Sequence, residues 1–294
     1  MKRMKGASQV YFEFSYPVDR ATTVKRRLAA EGVSHRLLAK LFAAGAVRKN
    51  GQVTGNQPVL PGDEVGFTML TQPLIVQSHQ PLVVVKETRD WLIVDKPVGM
   101  ASVPGPSDPT HSLLNAAAGY LAEQGVTAPQ PAVITRLDRD TCGLVLLAKH
   151  PFAQGKLDQL GVDATVTKIY RAVVEGQLDP PAGRIDRPLA KAPDGIHRRV
   201  DPAGVRAVTD YRTLTLGATT TLVEARLETG RTHQIRVHFA SLGHALVGDP
   251  LYGQGEAGAH QLLQASKLAF TDPFSAGVIE AELPLPEEFS SALR

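Results

Sequence analysis

Apolar positions recur three and four apart over residues 22–31 (TTVKRRLAAE) and 34–44 (SHRLLAKLFAA), which predicts two short amphipathic helices. Gly32 and Gly45 stand where their C-terminal caps belong. The period then changes to two in VRKNGQV (47–53), where Asn50-Gly51 is a strong hairpin signal, and a Pro61-Gly62-Asp63 turn precedes a strand at 64–68. The pattern breaks over 71–81 (TQPLIVQSHQP), which reads as a linker. Beyond it LVVV (82–85) and WLIV (91–94) predict a hairpin around Lys86–Asp90. A helix is expected from His111 to Gln124, with Thr110 as N-cap and Gly125 as its stop. AVITRL (132–137) and LVLLAK (144–149) are strand-like runs on either side of a polar loop, Asp138–Gly143. A last helical stretch runs from Thr232, the expected N-cap, to Gly243. Many β-runs with few helices predict an α+β body on a mixed, largely antiparallel sheet, preceded by a small α/β module. The expected domains are 1–75 and 82–294.

Charge divides along the same boundary. Residues 1–50 hold eleven Lys or Arg against three Asp or Glu, a balance of +8; the chain total of +3 leaves −5 for the other 244 residues. A basic end on a mildly acidic body points to a polyanionic partner. No apolar stretch reaches the roughly 18–20 residues of a membrane span, and the N-terminus lacks the apolar core of a signal peptide. The single cysteine, Cys142, excludes an internal disulfide and a multi-cysteine metal site. A cytoplasmic protein is expected, with monomer as the default because no oligomerisation signal is visible.

The chemistry concentrates in AVITRLDRDTCGLVLLAK (132–149). Arg136 and Asp138 are two apart, so on a continued strand they would share a face. A carboxylate leaving a strand at a glycine-containing turn is rigidly placed at an exposed edge. His233 and Arg236, three apart, would share a helix face. His233, His238 and His244 lack an i,i+4 pair and no carboxylate joins them, so no metal site is expected.

TRLDRDTCGLVLLAK resembles the signature of the RluA-type pseudouridine synthases, which commonly read His-Arg-Leu-Asp-x-x-Thr-Ser-Gly. LIVDKPVGM, KIYRAVVEG (168–176), LETGRTHQIRVHFASLGHALVGDPLYG (227–253) and LLQASKLAF (262–270) match the same family in the same order. The resemblance covers essentially all of 82–294. SHRLLAKLFAAGAVRKNG with its PGD turn is similar to the RNA-binding domain typified by ribosomal protein S-four. That likeness implies that Ser34, His35, Arg36, Lys40, Arg48 and Lys49 lie on or near an RNA-facing surface, where cations track phosphates.

The family resemblance implies a pseudouridine synthase fold. It also implies a reaction without metal or cofactor: the uridine N1–C1′ bond breaks, the freed uracil turns, and it rejoins through C5. Asp138 would be the essential carboxylate, attacking C1′ or removing the 2′ proton; the sequence leaves both routes open. Arg136 would enter the RNA or hold the extruded nucleotide, since extrusion costs a few kcal/mol. Tyr170 would stack on the uracil and help remove the C5 proton. Arg236, with Arg231 in reserve, would be the cation facing Asp138, and Leu268 an apolar residue beside the pocket. Large-subunit ribosomal RNA is the favoured substrate and transfer RNA the alternative. Three positions depart from the family pattern: Thr135 replaces the usual histidine, Cys142 the serine, and Gln264 a frequent histidine. Two rivals remain: Asp138 and Asp140 as a glycosidase-like pair, and a non-catalytic RNA-binding assembly factor.

Overall fold

The structure, a computed structural model, describes residues 12–70, 75–256 and 258–294. At the N-terminal end, strands Glu13–Pro17, Glu64–Thr68, Val47–Lys49 and Gln52–Val53 form one antiparallel sheet in that order. Two helices, Val24–Ala30 and His35–Ala43, pack against it. Their N-caps are Thr23 and Ser34, whose hydroxyls accept from the N–H groups of Arg26 and Leu37. Asn50 and Gly51 both take positive φ, as the predicted hairpin turn requires.

The rest is built on a ten-stranded sheet. Its main path runs Ala182–Asp186, Val208–Leu216, Thr220–Leu227, Val166–Glu175, Leu263–Thr271, Cys142–Ala148, Trp91–Lys96, Val83–Glu87. Every pairing is antiparallel except that of Cys142–Ala148 with Leu263–Thr271, so the sheet is mixed and largely antiparallel, an α+β architecture. The centre is buried on both faces, which is why WLIV and LVLLA read as unbroken apolar runs. Period-two alternation sorts them: Leu92, Val94, Val145 and Leu147 enter one core, while Trp91, Ile93, Leu144 and Leu146 enter the core on the opposite face. Gly143, at φ +108, lies so close to the neighbouring strand that a Cβ would stand 2.4 Å from the Ala265 carbonyl oxygen. Only glycine permits that approach.

The two sheets share packing. Phe152, on the helix Pro151–Leu160, is fully buried in the N-terminal core, with ring centroids 4.9 Å from Phe14 and 5.3 Å from Phe67. Arg89 lies over the Phe14 ring at 4.5 Å. The expected linker is only partly described, and its described part is docked: Ser78 N–H donates to Asn115 O, and the Asn115 side chain donates to Val76 O. The helix beneath begins at Leu113 with Ser112, not Thr110, as N-cap, because Ser112 and Asn115 satisfy each other's backbone in a capping box. Two further expectations change. AVITRL forms only the two-residue strand Ala132–Val133, since the Thr135 hydroxyl takes the Leu146 N–H. The late helix spans Gln234–Ala240, with His233 rather than Thr232 at its N-cap. Among the described residues no helix is long and apolar enough to cross a membrane.

Candidate active site

Residues 134–141 form an irregular loop fixed from three sides. The Ser102 hydroxyl donates to Leu137 O at 2.7 Å and accepts from Leu137 N–H at 3.0 Å. Fully buried Lys96 donates to Arg139 O, Pro97 O and Met100 O at 2.8–2.9 Å, joining this loop to the KPVGM turn. Burial depresses the Lys96 ammonium to about 8, while the charges of Asp140 and Asp138 oppose that fall. Gln261 donates to the Thr141 hydroxyl at 2.9 Å. Asp138 therefore sits on a scaffold with little freedom, its side chain about a quarter exposed.

That carboxylate faces a cation. Arg236 Nη1 lies 3.5 Å from Asp138 Oδ2, while its Nε and Nη2 each donate to Asp249 at 2.7 Å. Asp249 is fully buried, and its Oδ1 also accepts from the N–H groups of Leu251 and Tyr252. His233 Nε2 stands 3.9 Å from the same Asp138 Oδ2. The expected His233–Arg236 face thus does turn to Asp138, although His233 is at the helix cap rather than within the helix.

In front of this group opens a cleft of about 760 Å³, lined among others by Ser102, Arg136, Asp138, Lys168, Tyr170 and Arg231. Tyr170 is 7% exposed on the strand Val166–Glu175; burial, then the Asp138 charge, raises its phenol above the usual range. Arg136 is exposed at the cleft and makes no hydrogen bond or ion pair among the described residues. Arg231 donates to Arg206 O and comes within 3.9 Å of Asp163, so it borders the cleft without reaching Asp138. Lys168 pairs with Asp163 at 2.6 Å. The rim is rich in cations, suited to a phosphate chain.

Leu268 lies elsewhere. It packs with Trp91, Ile93 and Leu144 on the far face of the sheet. Its odd separation from Leu263 and Ala265, which belong to the cleft-side core, sends it to the other side. Leu263 is the apolar wall residue of that strand, beside Asp138 and Tyr170. The departures from the family pattern have structural employment. Thr135 holds Leu146 N–H, and Cys142 faces Leu263 O with its thiol pushed by burial up to about 11. Gln264 donates to Pro284 O, and its buried carbonyl oxygen has no partner among the described residues. Asp140 is held by adjacent Arg139 at 3.0 Å and is absent from the cleft wall, so it does not face Asp138 across a bond. His238 binds Thr209 and Arg187 O, and His244 binds Glu175 O; these histidines do not converge with His233. Sequence reasoning missed Asp249 and Lys96, though GDPLYG and DKPVGM contained them.

In the N-terminal region, Arg36 and Lys40 project from the helix His35–Ala43 into solvent, as do Ser34 and His35 beside them. Exposed Arg48 reaches Gly51 O. Lys49 is half-buried and tied to Asp63 at 2.9 Å, so it braces the hairpin.

Residues 90–241 match the family model described as RNA pseudouridylate synthase. The chain is 35% identical over 286 residues to the uncharacterized RNA pseudouridine synthase YjbO of Bacillus subtilis (strain 168), covering 92% of this chain and 98% of that one. It is 33% identical to the ribosomal large subunit pseudouridine synthase D of Zymomonas mobilis, covering 87% of each. Human RNA pseudouridylate synthase domain containing 1 has the same fold, with a TM-score of 0.58 at 23% identity over 70% of this chain and 84% of that one. By motif order, fold and relatives alike, the chain belongs to the RNA pseudouridylate synthase family and is an RNA-modifying isomerase.

Proposed function

We propose that this enzyme isomerises uridine in large-subunit ribosomal RNA, with Asp138 as the catalytic carboxylate. One observation carries the assignment: Asp138 stands at the wall of the cation-rimmed cleft, fixed by its loop, with Arg236 3.5 Å away and buried Tyr170 lining the same space. A uridine turned out of its stack brings C1′ and the 2′ hydrogen to Asp138, for attack or for proton removal. Arg136, exposed at the cleft, serves the RNA: it fills the space the base leaves or holds the extruded nucleotide. Tyr170 offers its ring face to the uracil, and its hydroxyl relays the C5 proton after the base rejoins. Arg231 and Lys168 stand by as phosphate contacts at the rim. The chemistry needs no metal or cofactor.

The N-terminal residues act as an S-four-like RNA-binding module, a function supported by their basic balance and by the exposure of Arg36, Lys40 and Arg48. Ribosomal RNA as the target is supported by relatives named as large-subunit enzymes; action in the cytoplasm and as a monomer belongs to the same proposal. The test is tritium release from C5-labelled large-subunit ribosomal and transfer RNA transcripts, offered separately without added cofactor. Release from the ribosomal transcript alone supports the assignment, and release from transfer RNA alone overturns the choice of target.

A further inference from the structure

His233 has a backbone conformation that demands an explanation. Its φ of +57 and ψ of +19 place a non-glycine residue in the left-handed region, at the N-cap of the helix Gln234–Ala240, with no side-chain cap in return. The turn is locked by Gln234, whose side-chain oxygen accepts from Thr229 and Arg231 and whose amide donates to Val208 O and Thr209. The imidazole is 14% exposed. Its Nδ1 lies 2.7 Å from the Tyr252 hydroxyl, and that hydroxyl accepts the Arg198 N–H at 2.8 Å. If the phenol donates its proton to His233 Nδ1, the imidazole proton sits on Nε2. Nε2 is the nitrogen turned toward Asp138. Burial pushes the imidazole below its usual range, in keeping with a neutral ring, while Asp138 pulls it up and Arg236 and Arg198 push it down.

We infer that His233 is a positioning residue for the reaction: its Nε2–H, set by Tyr252, joins Arg236 Nη1 on Oδ2 of Asp138 and leaves Oδ1 as the oxygen that works on the ribose. The two contacts, 3.9 Å and 3.5 Å, converge on the same oxygen in the free protein and close to hydrogen-bond length when the nucleotide displaces water. The inference rests on Asp138 being the working carboxylate, and goes further by saying which oxygen reacts and what aims it. Strain at residue 233 is the structural cost of that aim.

Three variants test it in single-turnover tritium release, with RNA affinity measured alongside. His233→Leu keeps the volume and removes the donor; it should slow turnover at least about tenfold with RNA affinity unchanged. His233→Gln places an amide N–H near the position of Nε2 and should recover to within about threefold of wild type. Tyr252→Phe frees the tautomer and should fall between the two. Equal rates for Leu and Gln, or a Leu variant that loses RNA affinity instead of turnover, would overturn the inference. Nitrogen-15 NMR of the wild-type side chain gives a reading independent of variant folding: an Nε2–H tautomer supports it and an Nδ1–H tautomer contradicts it. Asp138→Asn, assayed in parallel, separates the two levels. If that variant still turns over, the assignment of Asp138 has failed; if it is inactive while Leu and Gln behave alike, only the role of His233 has.

Discussion

Arg236 and Asp249 form a buried bidentate pair, two hydrogen bonds of 2.7 Å, and the pair leaves the third guanidinium nitrogen pointing at Asp138. Asp249 thereby fixes the plane of the cation that faces the Asp138 carboxylate. Arg236→Lys cannot reproduce the fork, because an ammonium is a point donor. It should lower single-turnover rate by about 10²-fold, comparable to losing one preorganised donor. Asp249→Ala leaves a buried guanidinium without its counter-charge and should cost about 3–5 kcal/mol in urea unfolding. It should also slow turnover, since Arg236 is then free to swing onto Asp138.

Lys96 ties activity to pH. As an ammonium it has three protons for three carbonyls; as an amine it has only two. With its titration depressed to about 8, the clamp on the Asp138 loop loosens as pH rises through that value, and kcat should fall there. Stability runs the other way for this group. Between about 8 and the ordinary lysine value of 10.5 the unfolded chain holds more protons than the folded one, so the contribution of Lys96 to stability rises with pH. A falling kcat without a matching loss of urea midpoint between pH 7 and 9 would confirm the pattern. Lys96→Met should be slow throughout and lack that limb.

Removing the N-terminal module whole is a poor test of its role, because Phe152 would lose its neighbours Phe14 and Phe67. Point changes are cleaner. Arg36→Ala with Lys40→Ala should weaken RNA binding and reduce the slope of log affinity against log salt by about 1.5–2, roughly one unit per lost phosphate contact. Turnover at saturating RNA should be unchanged. Filter binding across a salt series, beside single-turnover kinetics, reads both.

Tyr170→Phe keeps the ring and removes the oxygen. If the hydroxyl relays the C5 proton, tritium release should fall by about 10²-fold while RNA affinity holds. Tyr170→Ala, which removes the stacking face as well, should lose both. Full release by the phenylalanine variant would confine Tyr170 to stacking.

The residues gathered around Asp138 were legible because they lie in contiguous motifs: Arg136 in the same loop, and His233 and Arg236 at the start of one helix. The helices His35–Ala43 and Val24–Ala30, the Asn50-Gly51 turn and the strand Glu64–Thr68 followed from local periodicity and caps. What periodicity does not carry is long-range support. Lys96 meets Arg139 O across 43 residues, and Asp249 meets Arg236 across a turn whose path no local signal gives. Leu268 was assigned to the pocket by its motif, but strand parity sends it to the opposite core. Thr110 lost the cap to Ser112 because only Ser112 has Asn115 three residues on. AVITRL has the look of a strand, yet a threonine hydroxyl and a serine hydroxyl take backbone groups that a longer ladder would need.

The most direct measurement is single-turnover tritium release from C5-labelled large-subunit ribosomal RNA by wild type and by Asp138→Asn, with RNA affinity measured for both. If Asp138 is the catalytic carboxylate, wild type releases tritium, the variant releases none, and the two bind RNA equally. Release by Asp138→Asn at a rate near wild type would contradict it.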